Sequence, residues 1–202
     1  MKNILFICAM EKEGIQIAEK LQMKEVNKNV YRTDDGLKSL LLTGMGKQFT
    51  AINLTEYLCN NEKPDLIINI GYAGSTDIPI GKWVNISRVY NYEWDIPGEE
   101  KYVMLKGGSQ KLELLKNSNI EVVECYSSES FVTFTDIEEH VAFDMELHSI
   151  SLICDLQKIP LLSLKKISDN LSLKDYYNNL EEENVFELVS CVDILKEYEK
   201  SL

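Results

Sequence analysis

Residues 65–70 read Asp-Leu-Ile-Ile-Asn-Ile, and residues 71–75 continue Gly-Tyr-Ala-Gly-Ser. An apolar run this continuous, followed by a glycine turn, predicts a strand buried on both faces, as in a sheet covered by helices on either side. Similar runs stand at Asn3–Ala9, Ser39–Leu42, Trp83–Ser87, Ile120–Val123 and Pro160–Leu164. Helical periodicities fill the intervals. Ile17, Ala18 and Leu21 mark Glu11–Leu21, and Ala51, Leu54 and Leu58 mark Phe49–Cys59. A short segment follows at Ser109–Leu115. Leu147, Ile150 and Ile153 mark Glu146–Leu156, and Val185, Leu188, Val192 and Leu195 mark Glu182–Tyr198. The alternation predicts an α/β fold, a three-layer α/β/α sandwich around a central mixed, largely parallel sheet. No repeat or Pro/Gly-rich linker breaks the 202 residues, so residues 1–202 are expected to form one domain. The polar stretch Tyr90–Gly108 is expected to be a surface loop or an extra strand pair near the site.

The chain is 45% hydrophobic, enough for a sizeable core, and carries a net charge of −12. That charge argues against nucleic acid as a partner, but not against a neutral nucleoside. The apolar start MKNILFICAM is too short to span a membrane and leads directly into Glu11 and Glu13, so it is expected to be a buried strand rather than a signal peptide. Cys8, Cys59, Cys125, Cys154 and Cys191 form no CxxC pair and are expected to be reduced core thiols in a cytoplasmic protein. His140 and His148 lie in no metal-ligand pattern, and neither a metal nor a cofactor is expected.

Several segments at strand ends hold candidate chemistry, because open α/β sheets bind ligands there. AMEKEG (9–14) offers Glu11 and Glu13, either as helix-start carboxylates or as a general base for water; two apart, they cannot share a helix face. TGMGK (43–47) and GYAGS (71–75) let backbone approach a ligand, and neither is a Walker loop. In FDMEL (143–147), Glu146 suits a helix start or two vicinal hydroxyls. In KKISDN (165–170), Asp169 suits a cap or turn, or a proton donor if partial burial raises its pKa.

Taken in order, AMEKE, TGMGK, PDLIINIGYAG, SESFV, DME and ISD resemble the nucleoside phosphorylase/nucleosidase superfamily, most of all its methylthioadenosine/S-adenosylhomocysteine nucleosidases, from Met1 to about Leu180. The resemblance implies a cofactor-free hydrolase that cuts a purine–ribose bond. It implies that Glu13 activates water and that Asp169, held by Ser168, protonates purine N7. Glu146 would grip the ribose hydroxyls with Met145 against the sugar. Phe131 would stack on the base, Val132 would meet its edge, and Ala73 and Gly74 would lie beside it. Met10 and Met45 would line the pocket for the 5′ substituent. Relatives form dimers, so a homodimer is expected, with the apolar residues around Tyr90–Trp94 and Ile96 as a candidate surface.

The pattern also departs from these relatives. Tyr72 stands where they carry a small residue, and Lys165 where they carry an arginine at the water site. Lysine keeps the charge but loses the planar fork. STDIP (75–79) replaces a glycine-rich stretch, Leu147 replaces an alanine, and SSESF lacks the usual glycine–aspartate pair before the aromatic. Two alternatives stand beside hydrolysis of a methylthioadenosine-like nucleoside. One is a phosphorylase or a futalosine-type nucleosidase; the other is a nucleoside-binding protein with impaired catalysis. Only Arg32 and Arg88 are available for a phosphate site, and the first turn is acidic, which favours hydrolysis.

Overall fold

The strand that begins at DLIINI does not stop at its glycines. In the computed structural model, which describes residues 2–98, 110–115, 119–137, 140–179 and 187–199, β5 spans Leu66–Gly74 and is buried at every residue. It lies between two parallel neighbours, β1 (Ile4–Cys8) and β10 (Leu161–Asp169). Beyond β1 the sheet continues through β4 (Lys38–Leu42), parallel to it, and then the antiparallel strands β3 (Val30–Arg32) and β2 (Lys24–Asn27).

On the other side the sheet curls. β10 pairs antiparallel with β6 (Trp83–Asn91), β6 pairs parallel with β8 (Glu121–Ser127), and β8 pairs parallel with β9 (Val141–Asp144). β9 then returns to β5 through Phe143 opposite Gly74, closing a five-strand ring. The mixed sheet is the one expected; the closure could not be read from apolar runs, because it depends on a single long-range pairing.

Alternation along β1 and β5 explains the layers. Phe6, Cys8, Ile68 and Ile70 join one core with Ile17 and Ala18 of helix α1 (Glu11–Lys20) and Cys191, Val192 and Leu195 of the C-terminal helix Ser190–Glu199. Leu5, Ile7 and Ile67 join a second core with Leu54 and Tyr57 of α2 (Lys47–Asn60) and Leu147, Ile150 and Cys154 of α3 (Leu147–Gln157). Helices therefore cover both faces, and two separate apolar stripes are removed from water.

Some expectations are corrected. Ser109–Leu115 is not a short helix where it is described: Gln110–Lys111 forms β7 against β6, and Glu113 bridges Leu162. Six or seven residues are too few for a stable helix against such pairing. The last helix begins only at Ser190; residues 182–186 of its expected span lie outside the described residues. Cys59 is exposed, unlike the other four cysteines, because it faces outward near the end of α2. Of the stretch 90–108, residues 90 and 91 complete β6, and 99–108 lie outside the described residues. An unexpected short helix, α4 (Leu173–Asn179), follows β10; the C-terminal helix is therefore α5.

Candidate active site

Glu11 and Glu13 part company at the start of α1: Glu11 is exposed and Glu13 is buried. Glu13 is the third helical residue, and its Oε2 accepts the N–H groups of Met10 (2.8 Å) and Ala9 (3.0 Å), as the carboxylate of a capping box does. Its Oε1 accepts Tyr72 N–H from β5 at 3.1 Å. The helix-start and functional readings thus coexist in one side chain. A carboxylate has about four lone-pair sites, so three backbone donors leave it room for a water. Burial raises its pKa, while the Met10 amide, Lys165, and the Tyr72 and Ala9 amides pull it down without cancelling the rise. Gly71 makes the approach of β5 possible: a Cβ there would lie 2.9 Å from Glu13 Oε1 and 3.7 Å from Lys165 Nζ.

The end of β9 and the start of α3 supply two more carboxylates. Asp144 Oδ2 lies 2.8 Å from Lys165 Nζ and accepts Leu147 N–H at 2.9 Å, while Ser127 Oγ donates to Oδ1. Burial works to raise the Asp144 pKa, but Lys165, Ser127 and the Leu147 amide hold it below the ordinary value. Lys165 is correspondingly held charged: burial opposes this, and Asp144 and Glu146 outweigh it. Glu146, the N-cap of α3, accepts Gly46 N–H at 2.8 Å through Oε1. Gly46 has a φ of 89°, a region that favours glycine, and this turns the TGMGK backbone toward that carboxylate. Burial and then the Asp144 charge push Glu146 up to about 8.

Asp169 closes β10. The register against β5 slips between Ile167 and Asp169, so Ser168 is an extra residue, and such bulges re-aim side chains. Ser168 Oγ donates to Asp169 Oδ2 at 2.7 Å, and Leu171 N–H donates to Oδ1 at 2.9 Å, which makes a side-chain turn rather than a helix cap. Burial raises the Asp169 pKa against the lowering effect of Ser168 and the Leu171 amide.

These elements surround a cleft. Glu13, Glu146 and Asp169 line it, as do Met10 and Met45, Ala73 and Gly74, Phe131 and Val132, and Met145 and Ser168. Lys165 does not: its ammonium lies behind the wall, paired with Asp144. His140 is exposed between Asp77 (2.6 Å) and Glu121 (3.0 Å), and His148 is buried at the start of α3. Tyr176 of α4, absent from the sequence reading, packs edge-on to Phe131 (centroids 5.6 Å apart), with its hydroxyl 4.0 Å from Met10 Sδ. Its segment LKDYYNN has no apolar period to signal it. Asp144 was legible in principle, since a charge ending the apolar run VAFD and a lysine in LLSLKK each need a buried partner.

The phosphorylase superfamily matches residues 3–191. The chain belongs to the phosphorylase superfamily. A superfamily relative from Baumannia cicadellinicola subsp. Homalodisca coagulata, a 5′-methylthioadenosine/S-adenosylhomocysteine nucleosidase, is 28% identical over 86% of this chain and 90% of its own length. The nucleosidase of that name from Neisseria meningitidis, solved with methylthio-immucillin-A, superposes with a TM-score of 0.83 at 19% identity, covering 98% of this chain and 100% of that one. A futalosine hydrolase mutant from Helicobacter pylori superposes with a TM-score of 0.82 at 15% identity over the whole of both chains. At these identities the two superpositions speak for the superfamily fold.

Proposed function

We propose that this superfamily member is an N-glycosidase that hydrolyses a purine nucleoside of the methylthioadenosine/S-adenosylhomocysteine type. The observation that carries this reading is the lack of a cation among the described residues that line the cleft. Four carboxyl groups line it, those of Glu13, Asp144, Glu146 and Asp169, and among the described residues no lysine or arginine does. Arg32 is engaged by Ser39 and Asn61, Arg88 lies 3.8 Å from Glu124, and Lys165 is neutralised by Asp144. Such a wall offers phosphate no cation to bind and leaves Glu13 to accept a proton from water, which favours hydrolysis over phosphorolysis.

In this reading Glu13 takes a proton from water as its oxygen bonds to the anomeric carbon. The carbon–nitrogen bond breaks, its electron pair passes into the purine, and Asp169 delivers a proton to N7 so that the base leaves neutral. Glu146 holds the two ribose hydroxyls beside Met145, and Phe131 stacks on the base with Val132 at its edge. Ala73 and Gly74 flank the base, Met10 and Met45 receive the 5′ group, and Ser168 keeps Asp169 in place. Lys165 acts from behind the wall, through Asp144 and Glu13. The whole chain works as one domain, as a cytoplasmic homodimer without cofactor; exposed Phe49 and Ile52 on α2, beside Met45, offer apolar surface for a second copy.

The test is a panel of methylthioadenosine, S-adenosylhomocysteine, 5′-deoxyadenosine and futalosine, followed by chromatography of the released base. Adenine release from a thioether nucleoside is expected. Release from futalosine alone would move the substrate, and binding with no base release at high enzyme concentration would replace the enzyme with a binding protein.

A further inference from the structure

The SSES loop, one of the departures from the relatives, is tied into the cleft by a cluster of charged groups. Lys47, the first residue of α2, donates through Nζ to Glu93 Oε2 and to Asn91 Oδ1 (2.8 Å). The other oxygen of Glu93 accepts Ser128 Oγ at 2.8 Å and the Glu129 backbone N–H at 2.5 Å. Glu129 in turn accepts the backbone N–H of Lys47 at 2.8 Å. Its carboxylate lies against Gly46, where a Cβ would come within 2.9 Å of Oε1. Three chain segments meet here: the turn after β6, the loop after β8, and the start of α2. Glu93 is held ionised: burial works to raise its pKa, and Lys47, the Glu129 amide and Ser128 lower it further.

The joined segments are the ones that carry opposite walls of the cleft. Gly46, next to Lys47, gives its N–H to Glu146. Ser130 N–H donates to Ser128 Oγ at 3.1 Å, and Phe131 follows. We infer that Glu93 is a positioning residue for nucleoside binding: through Lys47 and the Ser128–Glu129 loop it sets the spacing between the Phe131 ring and the Glu146 carboxylate. This rests on the proposal that Phe131 stacks on the base while Glu146 holds the ribose. A strap that fixes spacing matters for a ligand spanning both subsites and little for one that fills a single subsite, since only the former gains from preorganisation.

The test compares the parent with Glu93→Gln, which keeps the shape but removes the charge facing Lys47. KM for methylthioadenosine is expected to rise about fivefold with kcat within about twofold, while the Kd of free adenine changes by less than about twofold. The parent KM should also rise with ionic strength, and that of the variant should not. An unchanged nucleoside KM in the variant would overturn the inference. So would an equal loss for adenine and nucleoside together with a lower Tm, which marks a contact serving the fold alone. If the parent itself releases no base, the proposed function fails first, and the same comparison is made on Kd for a methylthioadenosine analogue.

Discussion

Lys165 Nζ and Asp144 Oδ2 stand 2.8 Å apart with their side chains 1% and 0% exposed, so the charge behind the cleft is a closed pair rather than a free cation. Removing one partner of a buried pair leaves the other uncompensated, at a cost of about 3–5 kcal/mol. Asp144→Asn is expected to lower stability by about that amount in denaturant titration. Pairing it with Lys165→Met should recover most of the loss. A double variant as unstable as the single one would show that the pair is not the source.

Asp169→Asn keeps the size of the side chain and removes the transferable proton. A positioned acid contributes about 10²–10⁴-fold, and kcat should fall in that range while the Kd of a non-hydrolysable methylthioadenosine analogue stays nearly constant. Equal turnover by parent and variant would exclude Asp169 as the acid. In the parent, kcat/KM should fall at low pH as Glu13 is protonated and at high pH as Asp169 ionises. Both limbs lie above the ordinary carboxylate range, since both pKa values are raised.

Glu146 gives a stability signature of its own. Its folded pKa, about 8, lies above its ordinary 4.5, so the native state binds the proton more tightly. This contribution is fully present below pH 4.5 and is lost as pH rises through about 8. Glu146→Gln should flatten that slope in Tm measured against pH. An unchanged slope would mean that Glu146 is ionised in the free protein.

His148 works in the opposite direction. Its Nε2 is buried without a hydrogen-bond partner among the described residues, and burial, followed by Lys47, pushes its pKa down to about 4. The unfolded chain takes up this proton first, so stability is lost as pH falls from about 6.5 through about 4. His148→Leu should reduce that acid sensitivity, measured as the change in Tm between pH 7 and pH 5.

How far the sequence speaks depends on the range of the contact. β1, β5 and β10 were legible because strands covered on both faces need apolar residues at every position. β9 is only four residues long, and the β2–β3 hairpin is largely exposed, so neither had a strong pattern. By residue type and position alone Glu11 and Glu13 were equivalent and only the resemblance singled out Glu13; the turn of α1 buries Glu13 and exposes Glu11. The glycines of GYAG read as a turn but lie inside β5, where they admit the Glu13 and Asp169 side chains. Lys165 resembled a water-site cation, and its pairing with Asp144 is a three-dimensional fact. The Gly46–Glu146 and Lys47–Glu93 contacts join residues 100 and 46 positions apart, beyond any local period.

The central claim is that water, not phosphate, attacks the nucleoside. It is tested most directly by following adenine release from methylthioadenosine in phosphate-free buffer and again with added phosphate, and by identifying the sugar product. The predicted result is the same rate in both buffers with the free methylthio sugar as product. A rate that requires phosphate, with a sugar 1-phosphate as product, would contradict it.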